Sequence, residues 1–356
     1  MGVRPYTLLS FAFGTRQLIA RQDLDRFPAT EILERLAYGA SAAEDSLRSA
    51  TIDRFAGIIA EDIPFQGRAR WLMPTSQVTS GAGRFTQQFC PHCLKKPNGA
   101  YMRLYWRLAF AVVCPTHGTE LADRCGHCHA PVRHFTSNSV STCWKCNGNL
   151  ADTHVLQARE GLVAHQRQLH FAAERGWGFL GKQPTNALPL FDTVRQLAVL
   201  CARGKRSQQL RSVLGERYGL SESPYDGKGS RTPIEHLSHA DRLRLFDSVA
   251  RLMEAWPVNL WVLCEDARVY RSFIVLDMPE VPCLLQEAIR PLNRTPYQAT
   301  EGEVAAAARW LRKTEGTASY SRLRQLCGES RVALYQNKDV LRRSSKPSRF
   351  NDLVSR

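Results

Sequence analysis

No apolar run in this 356-residue sequence approaches the roughly 18 residues that a membrane-spanning helix needs, and the mean hydropathy is -0.32. The apolar opening Thr7 to Phe13 is short and meets Gly14, Thr15 and Arg16 without a small-residue cleavage site, so neither a leader nor a membrane anchor is expected. Acidic residues are scarce, 33 against 48 Lys and Arg, and none form a recognisable metal-binding set. A nuclease or transposase active site therefore has no visible support, and no enzymatic role is expected. Gly176 to Lys182 spells GxxxxGK, but Gln183 stands where a phosphate-binding loop needs a hydroxyl. A helical pattern precedes it where a strand is needed, and Pro184 disfavours the helix that should follow, which excludes an ATP-binding loop. Repeats of solenoid length and low-complexity tracts are also missing.

What is present is positive charge and cysteine. The net charge of +15 favours a polyanionic partner, because neutralising phosphates releases condensed counterions. Seven thiolates holding two zinc ions would bring this to about +12, still strongly basic. Eleven cysteines in a small secreted protein would suggest disulfides, but seven of these fall in one segment at metal-ligand spacing, which fits a reducing compartment.

The length allows two or three compact units. Residues 1–88 read as a helical domain: Ile32, Leu33, Leu36 and Ala37 recur at helical spacing, Gly39 supplies a turn, and a second helix runs from Ser41 to Ile59. Residues 89–152 hold the paired cysteines. Residues 153–292 form another helical domain, with helices at His154 to Arg175, Phe191 to Ala202 and Gln208 to Tyr218. In this reading Leu156, Leu162, Leu169 and Phe171 supply the apolar face of the first. A further helix runs from a capping box at Thr232, Pro233 and Glu235 to about Ala255. After a linker at Pro291 to Tyr297, residues 298–356 form a small separate unit.

The chemistry lies in four knuckles. Cys90-Pro91-His92-Cys93 and Cys114-Pro115-Thr116-His117 supply three cysteines and a histidine; Cys125-Gly126-His127-Cys128 and Cys143-Trp144-Lys145-Cys146 supply four cysteines. Two thiolates separated by two residues on a tight turn face the same ion, and four such turns make two tetrahedral zinc sites. Each has its full set of protein ligands, so the zinc is expected to be structural. Spacers of twenty and fourteen residues leave room for a β-hairpin or short helix between knuckles, as in tandem zinc ribbons. Pairing of neighbouring knuckles is the expectation; a cross-braced arrangement would join the first to the third and the second to the fourth. His92, His127 and His129 are surplus and expected to face solvent or support the ligands, while Cys201, Cys264, Cys283 and Cys327 are expected as small buried apolar residues.

Phe89 to Leu94, then Tyr105-Trp106-Arg107-Leu108, then Val113 to Gly118, then Leu121 and Cys125 to Cys128, together resemble the signature of TniQ proteins, including the TnsD branch. Leu33 to Ala37, Leu47 to Phe55 and Leu252 to Pro257 are similar to the family's helical parts. The resemblance implies a non-enzymatic adaptor of bacterial transposons. Such a protein recognises a DNA site, or a guide-RNA effector complex of a CRISPR-associated transposon, and recruits the AAA+ ATPase regulator. It also implies a cytoplasmic, nucleoid-associated location, and a homodimer is compatible with it. The alternative function is a zinc-dependent, sequence-specific transcription regulator.

The C-terminal unit reads as helix-turn-helix-like. Glu301 to Thr314 would be the first helix, with Val304, Ala307, Ala308 and Leu311 inward, and Tyr320 to Leu326 the second. Ser330 would cap a recognition helix, Arg331 to Asn337, after a turn at Cys327-Gly328-Glu329, with Leu323, Leu326 and Leu334 as its small core. Candidate nucleic-acid contacts are Arg331, Gln336, Asn337, Lys338, Arg342 and Arg343. Glu329 departs from the pattern, since comparable turns place an apolar residue there.

Overall fold

The computed structural model describes residues 7, 23, 25–26, 30–64, 68–74, 87–95, 100–133, 137, 139–225, 232–276, 278–292 and 299–327. The chain separates into two units, Met1–Leu292 and Asn293–Arg356. It is mainly α, about half helical, and its one extended sheet among the described residues is a two-stranded hairpin. No helix among those residues is long and apolar enough to cross a membrane.

In the first unit α1 (Thr30–Ala40) buries Ile32 and Leu33. It runs through Gly39, so the turn falls two residues later, at Ser41, whose φ is 50°. The long second helix expected from Ser41 is only α2 (Glu44–Ser49), which buries nothing. The Thr51 hydroxyl and N–H both donate to the carbonyl of Arg48 and close it, after which a 3-10 turn, Ile52–Phe55, carries both apolar ends into the core.

A short α3 (Pro91–Leu94) holds the first cysteine pair, and irregular chain follows to α4 (Glu160–Arg175). Helix α4 starts six residues later than His154, and Leu156 and Phe171 are exposed rather than part of its apolar face. Gly176 in the left-handed region ends it. Strands β1 (Trp177–Leu180) and β2 (Gln183–Asn186) then pair antiparallel, so the GxxxxGK segment is a hairpin. At its turn Gly181 has φ +64° and lies against Trp256, where a Cβ would come within 2.9 Å of the indole.

Asn186 caps α5 (Ala187–Arg203) by accepting from the N–H of Leu188, and α6 (Ser207–Tyr218) ends at left-handed Gly219. The helix expected from Thr232 begins later. Ile234–His236 is a 3-10 turn, and Ser238, accepting from the N–H of Asp241, caps α7 (His239–Met253). Glu235 is drawn inward instead, where it accepts from the N–H of Trp71 at 2.8 Å and pairs with Arg195. Burial pushes its carboxyl upward, but Arg195 and the N–H donors outweigh that and hold it below the usual carboxylate range. Short helices α8 (Val258–Asp266), α9 (Arg271–Ile274) and α10 (Cys283–Ala288) complete the unit.

At the centre of the core Trp71 meets Phe110 edge-on at 5.5 Å and lies 6.1 Å from Phe191 and 6.2 Å from Phe246. These rings join the 68–74 segment, the spacer between the first two knuckles, α5 and α7. Cys201 and Cys264 are buried here, as expected; Cys283 is exposed and Cys327 half-buried.

The second unit holds α11 (Glu301–Glu315) and α12 (Tyr320–Cys327). Its start carries a complete capping box between Thr300 and Glu303. Val304, Ala308, Leu311 and Leu323 form the small core with Ala299, whereas Leu326 is half exposed. The recognition helix, with Leu334 and the candidate contacts Arg331, Gln336, Asn337, Lys338, Arg342 and Arg343, lies outside the described residues.

Candidate metal centres

Three of the four knuckles close in the same way. The N–H groups of Gly118, His129 and Asn147 donate to the carbonyls of Cys114, Cys125 and Cys143 at 2.8, 2.9 and 3.0 Å. Each donor follows its second ligand and has positive φ, at 69°, 54° and 59°. The first ligand's own N–H returns to the carbonyl of Thr119, Ala130 or Gly148, and an isolated bridge pairs the residue before it: Val113 with Glu120, Arg124 with Pro131, Thr142 with Asn149. Exposed His129 thus has a backbone task, in a conformation that His and Asn tolerate better than most side chains. The first knuckle differs: Cys90 precedes α3, and its carbonyl accepts from Leu94 at 3.2 Å.

The ligand atoms gather into two sets, Cys90, Cys93, Cys114 with His117, and Cys125, Cys128, Cys143 with Cys146, each within 4.8 Å. Neighbouring knuckles pair, and the cross-braced arrangement is not adopted. Four ligands at tetrahedral angles around one zinc ion, with Zn–S about 2.3 Å and Zn–N about 2.0–2.1 Å, stand about 3.8 Å apart for two sulfurs and about 3.5 Å for sulfur and nitrogen. In the first set Cys93 and Cys114 are 3.7 Å apart, and the Nδ1 of His117 lies 3.5, 3.4 and 3.4 Å from Cys90, Cys93 and Cys114. In the second, Cys125 to Cys146 and Cys128 to Cys143 are each 3.7 Å. Both sets are therefore suited to a tetrahedral metal ion of zinc's size. The ribbons around them are held by single bridges and turns rather than by hairpin ladders.

In each set one thiol is held down as a thiolate while others are pushed up, Cys114 against Cys90 and Cys93, and Cys143 against Cys146. Hydrogen bonds from Cys90 and Cys93 hold Cys114 far below an ordinary thiol, while Cys93 is pushed up, first through its bond with Cys114. At Cys143 burial acts upward, but the N–H groups of Cys146 and Lys145 and the thiols of Cys125 and Cys128 bring it to about 7. The first set is embedded in the core with Phe89, Leu94 and Trp106; the second is shallower, with Cys128 half-buried and Cys146 exposed. Of the surplus histidines, His92 is half-buried with its ring 5.5 Å from that of His117, and His127 is exposed beside Gly148.

The spacer leading to the second knuckle shows what sequence reasoning missed. Residues 105–113 are all buried, yet most of this stretch joins no sheet. Local turns and single bonds to neighbouring backbone satisfy part of it, and buried side chains supply most of the rest. Gln166 of α4 accepts from the N–H groups of Val112 and Val113 and donates to the carbonyl of Phe110. Gln88 donates to the carbonyls of Trp106 and Ala111, and Arg242 to that of Ala109. Arg107 turns the other way and pairs with Asp23 and Asp25 at 2.6 and 2.7 Å. Burial works against its charge, but Asp23 and Asp25 overcome this and raise its affinity for the proton. The only available signal was an amide with no partner of its own inside an apolar helix face.

The architecture is that of a helical protein carrying two four-ligand knuckle sets suited to a metal ion. The TniQ family model matches residues 1–121, a span that contains the whole first ligand set. The match covers about a third of the chain, and over that stretch the protein is similar to the TniQ family. No curated protein matches it.

Proposed function

We propose that the protein is a target-selection adaptor in DNA transposition, which binds a nucleic-acid site or a guide-RNA effector complex and recruits the transposon's AAA+ ATPase regulator. The observation that carries this reading is the TniQ match over residues 1–121. The charge of +15 supports a nucleic-acid partner, and the two ligand sets support structural zinc, bound in a reducing cytoplasm where the DNA also lies. Zinc at Cys90, Cys93, Cys114 and His117, and at Cys125, Cys128, Cys143 and Cys146, would lock the turns that build the domain. In the C-terminal unit, Lys338, Arg342 and Arg343 would serve phosphates, while Gln336 and Asn337, on the same proposed helix as Arg331, would approach base edges. A transcription regulator is the weaker reading, since the family match points to transposition.

The test is a transposition assay with the cognate transposase and ATPase, mapping insertions with and without the protein. Insertions should lose their preferred positions when it is omitted, and a map unchanged in frequency and position would sink the proposal. Arg342→Ala with Arg343→Ala should weaken binding to every DNA sequence and flatten its salt dependence.

A further inference from the structure

Helix α4 buries one stripe and turns another outward. Leu162, Val163, Gln166, Leu169, Ala172 and Ala173 face the core. Arg167, His170, Phe171, Glu174 and Arg175 recur at i, i+3, i+4, i+7 and i+8 and share a second face. That face lines a cleft of about 840 Å3, near the top of the roughly 300–1,000 Å3 range of small-molecule pockets. Cys114, Pro115 and Thr116 of the second knuckle line it too, so the first metal centre fixes part of its wall.

Charge in the cleft is one-sided. Arg54, Arg103, Arg167 and Arg175 line it against a single carboxylate, Glu174, which pairs with Arg54 at 3.1 Å. Arg167 donates once, to the carbonyl of Pro115 at 2.9 Å, and a guanidinium has five N–H groups to offer. Arg103 stands 5.2 Å over the ring of Tyr101, a cation and a ring face presented together.

The aromatic residues are equally one-sided. Tyr101 is 55% exposed and Phe171 39%, and both line the cleft. From Phe171 the row continues edge to face to Trp177 at 5.2 Å and on to Phe179 at 5.4 Å, these two being 45% and 41% exposed. Strand alternation explains the display: Gly178 and Leu180 turn into the core, so Trp177 and Phe179 turn out. A duplex hides the faces of its bases in its own stack and gains little from such rings. A strand with unstacked bases gains from both the rings and the arginines.

We infer that this cleft and the adjoining aromatic row bind a single-stranded polynucleotide, its phosphates on Arg103, Arg167 and Arg175 and its bases on Tyr101, Phe171 and Trp177. The inference deepens the function proposed above by naming a partner class and a place for it. It is tested on the purified chain, so the two stand or fall separately.

The experiment is fluorescence anisotropy of full-length, zinc-loaded protein with labelled oligothymidylate and oligouridylate of roughly 20 nucleotides, longer than the roughly 4–16 that compact single-strand binders cover. A duplex of equal length runs alongside. Phe171→Ala and Trp177→Ala should each weaken single-strand binding by about tenfold and leave duplex binding within about twofold. Arg103→Ala with Arg167→Ala should flatten the salt dependence of the single-strand probes. Loss with oligothymidylate alone assigns DNA, with oligouridylate alone RNA, and with both a site indifferent to the sugar. Should Trp177→Ala lose zinc or unfold, Tyr101→Ala, at the most exposed ring, carries the same expectation. Single-strand affinities that are undetectable, or unchanged in folded variants, would overturn the inference. That includes the case in which the variants abolish transposition without altering strand binding, because the cleft would then serve a protein partner.

Discussion

Replacing Gln166 by Met, a side chain of nearly equal length without polar atoms, should destabilise the protein far more than a typical substitution. Gln166 is fully buried and makes two short bonds, from the N–H of Val112 at 3.0 Å and to the carbonyl of Phe110 at 2.9 Å, besides two longer ones, from the N–H of Val113 and the hydroxyl of Tyr105, each at 3.4 Å. Met leaves both strongly bonded backbone groups buried without partners, each costing about 1–3 kcal/mol. Partial relaxation brings the expected total to about 4 kcal/mol, a large share of the roughly 5–15 kcal/mol that holds a domain together. Urea unfolding of zinc-saturated protein would show a lower midpoint with an unchanged slope, and amide exchange at Val112 would quicken. A loss below about 1 kcal/mol would refute the view that side-chain amides replace a sheet here.

Two further predictions concern metal and pH. The purified protein should hold two zinc ions per chain, Cys90→Ser and Cys143→Ser should each lose one, and a chelator should strip the shallower second site first. Metal analysis during chelation checks the order, and simultaneous release would contradict the difference in depth. Burial, aided by nearby Arg159 and Arg242, holds His165 and His239 at about 4, below the ordinary 6.5. The unfolded chain therefore takes up these protons where the folded chain refuses them. Stability should fall as pH drops from about 6.5 to about 4, by at most on the order of 3 kcal/mol per histidine. His165→Leu should flatten that slope in urea titrations at constant zinc content; an unchanged slope would exclude His165 as a source.

The ligand sets were legible because two-residue gaps between cysteines have few other physical uses, and sequential pairing then needed only the geometry of the turns. Helices with strong end signals were also legible, as at Thr300 with Glu303 and at Gly176. Thr232 with Glu235 misled because a capping box is a local bargain, and the buried N–H of Trp71 together with Arg195 made a better offer to Glu235. Phe171 misled in the opposite sense. An aromatic residue on a helix counts as apolar in any periodicity, yet this one belongs to the outward stripe set by Arg167 and Arg175. The cleft escaped notice because its parts lie as far apart as Arg54 and Arg175 and meet only in three dimensions.

From these contacts follows an unequal division of work between the two metal centres. The first binds the core: Cys90 precedes α3 and Cys93 lies within it, Cys114 ends the buried spacer, and Gln88 and Gln166 bond that spacer's backbone. Without zinc, three buried thiols and a histidine would have only one another and the Thr119 hydroxyl as weak partners, at the place where the cleft takes Cys114 to Thr116 as wall. The second set lies among residues 125–146 and contributes nothing to that wall, so its loss should loosen a surface platform and leave the cleft standing.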